Sequence, residues 1–258
     1  MEVEFIVWGK MKITKPKTLQ ERIILALDVD NLAEVKDLVL TLKDHVGYFK
    51  VGLQLLTSCG FESINVIKEN GGKAYCDFKF HDIPNTVAHA CSNLVKREID
   101  FFNLHIQGGS KMVSQAVRAS KDTARSLNIS PPTILGIGLL SSFGQRTLSQ
   151  ELCVEKNIED YIIQLTQIAK DNGLDGVVAG ASEAKKIRQQ MGEDFIILCP
   201  ATRPTWAAVN DQVRVDTPTD AIKAGVDYLV IGRPITDAED KISAINLIID
   251  EINTALKG

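Results

Sequence analysis

The chain has 258 residues and a formal net charge of −4, with 45% hydrophobic and 24% charged residues. This composition is ordinary for a soluble globular protein. The acidic balance argues against a general nucleic-acid binder, while leaving room for a local basic site for a small anion. The longest apolar segments are only about half as long as a membrane-spanning helix requires. The length allows one large α/β domain or two small ones.

Residues 1–21 precede the first clear structural segment and are predicted to be an N-terminal extension of uncertain order, to which we assign no function. The segment begins with acidic residues, and its apolar piece "FIVW" is too short for the core of a secretory signal. A single domain is predicted over residues 22–258, without a linker, a low-complexity segment or a second core.

Eight short apolar segments follow in chain order, and longer amphipathic segments separate them. The predicted strands are residues 23–29, 47–52, 73–79, 100–106, 133–140, 174–180, 194–200 and 226–232. The clearest predicted helices are residues 32–44, 160–171 and 240–256, where apolar side chains recur on one helical face.

This alternation of strands and helices predicts a parallel sheet, because each parallel pair needs a crossover connection. Eight such units in roughly 240 residues predict a single-domain (β/α)8 TIM barrel. The alternative is an open doubly wound sheet, which normally has a glycine-rich phosphate turn after its first strand. That turn is "DVDNLAE" in this chain and has no glycine, which favours the barrel.

The five cysteines are Cys59, Cys76, Cys91, Cys153 and Cys199. Their number is odd, and their spacing fits neither a disulfide framework nor a zinc knuckle. We therefore predict reduced thiols in a cytoplasmic protein. Cys76 and Cys199 lie in apolar strands and are predicted to be core residues rather than nucleophiles.

Charged residues stand at the carboxyl ends of the first three predicted strands, where barrels carry their chemistry. Asp28 ends the first strand, Lys50 lies in the second, and Asp77 and Lys79 end the third. Because Asp77 and Lys79 are two residues apart, both side chains point the same way from a strand. The four are expected to form an alternating ring of negative and positive charges at one mouth.

Such a ring suits a reaction that forms a carbanion. Charges at a barrel mouth are costly to desolvate unless they are paired, and alternation reduces that cost. Neighbouring carboxylates favour the protonated form of Lys79, which is then able to donate a proton to a developing carbanion. Asp77 beside a substrate carboxylate would disfavour the anionic ground state. The alternative for any single pair is an ordinary salt bridge on a solvated rim.

A phosphate site is predicted at the end of the last strand. Gly232 allows close backbone approach, and Arg233 supplies a fork of donors for phosphate oxygens, in the region where barrels often bind phosphate. The long loop 200–218 is predicted to be a lid that carries Arg203 and Gln212. The alternative for Gly232 and Arg233 is an ordinary turn with a surface arginine.

Ser141 and the histidines carry weaker signals. Ser141 follows the fifth strand and is either a donor to a heterocycle edge or a turn residue. His45, His81, His89 and His105 lack the spacing of a metal site, so no metal is predicted.

Several stretches of the sequence carry motifs of a known family. They are "ALDV", "FKVG", "DFKFHDIPNT", the arginine–proline lid followed by "DQVR", and "GVDYLVIGRPIT". Together they closely resemble the orotidine 5′-phosphate decarboxylase family. The similarity covers nearly the whole chain from residue 22, and the "DFKFHDIPNT" pattern is highly specific in combination with "IGRPIT".

The resemblance implies cofactor-free decarboxylation of orotidine 5′-phosphate to UMP, the last step of de novo pyrimidine nucleotide synthesis. By this similarity Lys79 protonates C6 of the pyrimidine and Asp77 abuts the leaving carboxylate. Lys50 and Asp82 complete the implied catalytic set.

The resemblance also implies a homodimer with shared active sites. Asp82 and Thr86 would reach the ribose of the substrate bound by the neighbouring subunit. The implied substrate-binding residues within the chain are Asp28 and Lys50 at the ribose, Ser141 at the pyrimidine edge, Arg203 in the lid, and Gln212, Gly232 and Arg233 at the phosphate.

The entry to the lid departs from the family pattern. Family members usually have Pro-Gly-Ile-Arg or Pro-Gly-Val-Arg, whereas this chain has Pro200, Ala201, Thr202 and Arg203. If the replaced glycine had a positive φ, the lid would be expected to follow a different backbone path.

Two rival functions remain. A related sugar-phosphate decarboxylase of the 3-keto-gulonate-phosphate type has a similar strand motif and, by resemblance, needs a divalent metal. A non-catalytic sensor of nucleotide phosphates would bind without turnover. The presence of both Asp77 and Lys79 disfavours a sensor, which has no need of a proton donor.

Overall fold

Eight strands form a closed parallel barrel in chain order in the computed structural model, which describes residues 15–140, 142–207 and 216–257. The strands are β1 Ile23–Ala26, β2 Tyr48–Val51, β3 Ala74–Phe80, β4 Phe101–His105, β5 Thr133–Ile137, β6 Gly176–Val178, β7 Ile196–Cys199 and β8 Tyr228–Ile231. Pairing of β1 with β8, with Leu25 opposite Ile231, closes the sheet. The predicted (β/α)8 barrel is confirmed.

Helices follow the strands and cover the outside of the barrel. Within the described ranges they are α1 Leu32–Leu42, α2 Leu53–Cys59, α3 Glu62–Glu69, α4 Pro84–Val95, α5 Gly109–Leu127, α6 Ile158–Asp171, α7 Ala181–Met191, α8 Pro218–Lys223, α9 Arg233–Thr236 and α10 Lys241–Lys257. The helices predicted over 32–44, 160–171 and 240–256 correspond to α1, α6 and α10.

Local sequence explains why α1 begins where it does. Asn31 precedes the helix, and its side-chain oxygen accepts a hydrogen bond from the Glu34 backbone nitrogen at 2.9 Å. Glu34 reaches back to accept from the Asn31 amide at 3.1 Å. This pairing satisfies a donor that the first turn would otherwise leave without a partner. The buried face of the helix consists of Val35, Leu38, Val39 and Leu42.

Aromatic side chains fill the barrel interior near the amino-terminal ends of the strands. Phe101 packs edge-to-face against Tyr48 and Tyr228, with ring centroids 4.6 and 5.3 Å away. Edge-to-face pairs are the favoured arrangement of buried rings. This packing fills the interior near the amino-terminal ends of the strands.

Three aspartates form hydrogen bonds at the amino-terminal rim of the barrel, where the strands begin. Asp100, Asp175 and Asp227 each stand directly before an even-numbered strand. The carboxylate of each accepts a hydrogen bond from a backbone nitrogen in the preceding strand region: Ala74 at 2.8 Å, Ile134 at 2.8 Å and Ile197 at 2.9 Å. These bonds satisfy buried backbone donors at the strand starts.

The described part of the predicted N-terminal extension lies against this same rim. Lys15 of the extension forms an ion pair with Asp227 at 3.0 Å. Arg22, the first residue after the extension, donates from its side chain to the Asp227 carbonyl at 3.2 Å. Residues 1–14 lie outside the described residues. Among the helices that the structure describes, none is long and apolar enough to cross a membrane.

Candidate active site

A cavity of about 250 Å³ opens at the carboxyl ends of the strands. Its charged lining residues are Asp28, Lys50, Asp77, Lys79, Arg203 and Arg233. Its apolar wall includes Ile137, Leu139, Leu140, Val178, Leu198 and Val230. A cavity with an apolar wall and a few converging charged groups is typical of a small-molecule site.

Four charged side chains from the first three strands form one chain of ion pairs in the cavity. Lys79 Nζ donates to Asp77 Oδ1 at 2.6 Å. Lys50 Nζ lies 3.6 Å from Asp77 Oδ2 and 3.3 Å from Asp28 Oδ1. The order Asp28, Lys50, Asp77, Lys79 therefore alternates in sign, which is the arrangement that the sequence predicted for these residues.

Asp77 stays ionised in this chain although it is largely buried. Burial acts to raise its pKa, but Lys50 and Lys79 oppose this, as do hydrogen bonds from Lys79 and Asn103. Together these interactions hold the pKa of Asp77 below its ordinary value. The site consequently presents a fixed negative charge beside a lysine.

The third strand is irregular where it carries these two residues. Pairing of β3 with β4 shifts between Cys76 opposite Phe102 and Phe80 opposite Leu104. Lys79 has a φ of 52°, in the left-handed region that non-glycine residues seldom adopt. The simple alternation used to place Asp77 and Lys79 is therefore incomplete, because a bulge also determines where they point.

Asn103 is the neighbour of this bulge and was missed by the sequence analysis. It is fully buried on β4, and its side chain contacts both Asp77 and the Lys79 backbone nitrogen. The available signal was a polar residue in the middle of the mostly apolar strand "FFNLH". Since buried polar groups need partners, such a residue indicates a polar neighbour across the sheet.

Two arginines also line the cavity. Arg203 is buried just after β7, and Arg233 begins α9 directly after β8. Between them and Asp28, Gly232 leaves little room: a Cβ atom there would lie 3.3 Å from the Ala26 Cβ. Guanidinium groups and an unobstructed backbone suit a phosphate.

The alanine at the lid entry adopts the conformation that glycine favours. Ala201 has a φ of 57°. The backbone beyond it is held by hydrogen bonds from the Thr202 nitrogen to the Val230 carbonyl at 3.1 Å and from the Arg203 nitrogen to the Asp216 carbonyl at 2.9 Å. The expected change of backbone path is therefore not required, because alanine itself occupies the left-handed region.

Some predicted site residues are not brought to this cavity within one chain. Asp82 is exposed and accepts a hydrogen bond from the Ile83 backbone nitrogen, and Thr86 is exposed on the first turn of α4. Neither lines the cavity. Ser141 and Gln212 lie outside the described residues, and β5 ends at Ile137, earlier than predicted.

Two histidines lie next to the charged residues. The rings of His81 and His105 are 5.3 Å apart. Burial, followed by electrostatic interactions with His81 and Lys79, lowers the pKa of His105 to about 4, so that its ring is neutral at pH 7. Within residues 15–140, 142–207 and 216–257, no group of three or more histidine, cysteine or acidic side chains is placed to hold a metal ion.

Cys76 and Cys199 lie in the core, where the sequence predicted them. Cys76 and Cys199 are buried in β3 and β7, and burial raises the pKa of each thiol. All five cysteines are free. The buried pair therefore belongs to the core, as predicted.

Comparison with known proteins gives one consistent family. The model described as "Orotidine 5′-phosphate decarboxylase / HUMPS family" matches residues 21–248. The orotidine 5′-phosphate decarboxylase of Moorella thermoacetica is 41% identical over 233 residues, covering 90% of this chain and 92% of the relative. That of Trichlorobacter lovleyi is 44% identical over 236 residues, covering 90% and 95%.

Solved structures agree with the sequence comparison. The crystal structure of orotidine 5′-phosphate decarboxylase from Lactobacillus acidophilus matches this fold with a TM-score of 0.79 at 31% identity. The match covers 90% of this chain and 99% of that one. The residues matched by the family model, 21–248, include all eight strands of the barrel.

Proposed function

Because the chain belongs to the orotidine 5′-phosphate decarboxylase / HUMPS family, we propose that it decarboxylates orotidine 5′-phosphate to UMP. The observation that carries this proposal is the alternating chain of Asp28, Lys50, Asp77 and Lys79 in one cavity with two arginines. In this proposal the arginines bind the phosphate and Lys79 supplies a proton.

Substrate binding begins at the phosphate in this proposal. Arg203 and Arg233 bind its oxygens, the Gly232 backbone approaches closely, and Gln212 adds a donor from the lid. Ser141 binds the pyrimidine edge. Binding energy from this remote group is then available to hold the pyrimidine against Lys79.

The charged residues then act on the carboxylate. Asp28 and Lys50 bind the ribose, and Lys50 also helps to keep Asp77 ionised. Ionised Asp77 lies beside the substrate carboxylate, and their mutual repulsion is relieved when carbon dioxide leaves. The lowered pKa of Asp77 supports this role, because a protonated carboxyl group would not repel the substrate.

Proton transfer completes the reaction. The bond between C6 and the carboxylate carbon breaks, carbon dioxide leaves, and the electron pair stays on C6. Lys79 Nζ donates a proton to C6, forming UMP, and the neutral lysine regains a proton from water. No cofactor takes part, because the same ammonium group that stabilises the developing charge also neutralises it.

We propose a homodimer in which each site is completed by its neighbour. Asp82 and Thr86 are exposed beside the mouth and absent from the lining of their own chain's cavity, which leaves them available to a second subunit. Their proposed role is to contact the ribose there. The free cysteines support a cytoplasmic location, where thiols stay reduced.

One assay tests the proposal against its rivals. Purified protein is mixed with orotidine 5′-phosphate and a chelator, and the loss of ultraviolet absorbance is followed. We expect full turnover in the presence of chelator. Activity that the chelator abolishes would favour a metal-dependent sugar-phosphate decarboxylase. Binding of UMP without any turnover would favour a phosphate sensor.

A further inference from the structure

We propose that Asn103 is a positioning residue of this reaction, holding the carboxylate of Asp77 and the backbone of Lys79 in place. The inference rests on the proposed function and deepens it, because it concerns the same site. Asn103 does not line the cavity, so it acts through the two residues that do.

The first observation is the mismatch between β3 and β4. Between the pairs Cys76–Phe102 and Phe80–Leu104, three residues of β3 face a single residue of β4, and that residue is Asn103. A bulge of this kind removes backbone hydrogen bonds from the ladder. The Lys79 nitrogen consequently needs another acceptor, because a buried backbone donor without a partner is costly.

Asn103 supplies that acceptor and two donors. Its Oδ1 accepts from the Lys79 backbone nitrogen at 2.8 Å. Its Nδ2 donates to Asp77 Oδ1 at 2.7 Å and to the Tyr75 hydroxyl at 2.6 Å. The amide orientation is fixed by this pattern, because only the oxygen is able to accept from a backbone N–H.

The same amide thus connects the two residues of the proposed chemistry. Lys79 is held at a φ of 52° by a bond to its backbone, while its ammonium group and Asn103 share Asp77 Oδ1. Strained backbone persists only where surrounding contacts enforce it. We infer that the distance between the Lys79 ammonium group and the substrate depends on this one amide.

The electrostatic effect acts in the same direction. Asn103 donates to an ionised carboxylate that burial would otherwise push towards protonation. A neutral donor stabilises the charge of Asp77 without adding a further charge next to Lys79. A leucine at this position would fill similar space and provide neither contact.

The test compares Asn103→Leu and Asn103→Asp with the wild-type enzyme. We expect Asn103→Leu to lower kcat by about 10- to 100-fold, because a small misplacement of reacting groups has effects of this size. UMP affinity should change little, since Asn103 does not line the cavity in which UMP is proposed to bind. Faster hydrogen exchange of the Lys79 backbone amide should accompany the loss.

Asn103→Asp separates the contact with the Lys79 backbone from the contact with Asp77. It also provides a second test in case Asn103→Leu does not fold. It keeps an acceptor for the Lys79 N–H but places a second carboxylate against Asp77. As pH falls, protonation of the introduced carboxyl restores a donor. We therefore expect the activity of this variant relative to wild type to rise towards acidic pH, a signature that simple loss of stability would not give.

The matched control is Ser120→Ala, which removes a buried hydroxyl that donates to the Ala116 carbonyl in α5 and does not line the cavity. Two results would overturn the positioning role. The first is a kcat of Asn103→Leu equal to that of the wild type. The second is an equal loss of kcat and UMP affinity in Asn103→Leu, matching whatever loss the control shows. An inactive wild-type enzyme would instead overturn the proposed function, so the two failures are distinguishable.

Discussion

Among single residues, Lys79 is the one on which the proposed chemistry depends most directly. We expect Lys79→Ala to fold, to bind UMP and to lose decarboxylation by many orders of magnitude, because the proton donor to C6 is gone. Turnover is measured by ultraviolet absorbance, and UMP binding by calorimetry. Lys73→Ala, which changes a lysine directly before the opposite end of β3, is the control. Near-normal turnover by Lys79→Ala would disprove the mechanism.

Arg233 is predicted to act on the phosphate alone. We expect Arg233→Ala to weaken UMP binding by about 10- to 100-fold, since hydrogen bonds to charged groups contribute about 1.5–3 kcal/mol. Binding of uridine, which lacks the phosphate, should be unchanged. Arg118→Ala removes an exposed arginine on α5 and serves as the control. Equal weakening of uridine and UMP would show that the phosphate assignment is wrong.

Ala201 carries backbone strain that glycine would relieve. Because its φ is 57°, we expect Ala201→Gly to raise the free energy of unfolding by about 1 kcal/mol, against the usual destabilising effect of glycine. Denaturant unfolding measures the change. Ala224→Gly is the control. Ala224 has a right-handed φ of −76°, so glycine at this position should lower the free energy of unfolding. A loss of stability in both variants would contradict the expectation.

At the scale of strands and helices, the three aspartates at the amino-terminal rim of the barrel show how neighbouring strands are held together. Asp175 is partly buried, and this burial raises its pKa above the ordinary value, against the opposing effects of the Ile134 hydrogen bond and Lys121. A raised pKa favours the protonated form in the folded state. The associated stability is therefore present below the unfolded pKa and lost as pH rises through the folded pKa.

Two substitutions separate the hydrogen bond of Asp175 from its charge. Asp175→Asn keeps an acceptor for the Ile134 nitrogen, whereas Asp175→Ala leaves that donor without a partner. We expect the alanine variant to be about 1–3 kcal/mol less stable than the asparagine variant. We also expect asparagine to gain stability relative to wild type as pH rises from about 4, where aspartate begins to ionise.

Unfolding by denaturant at several pH values measures both effects. Asp122→Asn, which changes an exposed aspartate on α5, should move stability little and supplies the control. Equal stability of the two Asp175 variants would mean that the rim hydrogen bond does not hold β5.

At the scale of the whole molecule, the proposed dimer predicts complementation between inactive variants. Lys79→Ala and Asp82→Ala should each be nearly inactive alone. In a mixed dimer, one site lacks both residues and the other site is complete. Random mixing gives half mixed dimers, so about a quarter of full activity is expected to return. Mixing is achieved by refolding the two variants together.

The control is the same experiment with Lys79→Ala and Asp77→Ala. Both residues belong to the same site within one chain, so their mixed dimers have no complete site and should stay inactive. Recovery in this control, or none in the first mixture, would contradict the shared-site proposal.

The sequence by itself determined the barrel and most of the residues in its mouth. Eight apolar segments separated by amphipathic ones specify strands and helices through local periodicity, which needs no long-range information. A closed parallel barrel then brings all strand ends to one face. For this reason Asp28, Lys50, Asp77 and Lys79 were identified together before their distances were known.

Only the tertiary structure decided how Asp77 and Lys79 are held. The bulge in β3, the positive φ of Lys79 and the three hydrogen bonds of Asn103 all depend on the register between β3 and β4. This local shift of register forms when the two strands pair across the sheet, and the side-chain pattern along β3 does not show where such a bulge falls. The sequence therefore specifies which side chains reach the mouth, whereas strand pairing specifies the partner that fixes them there.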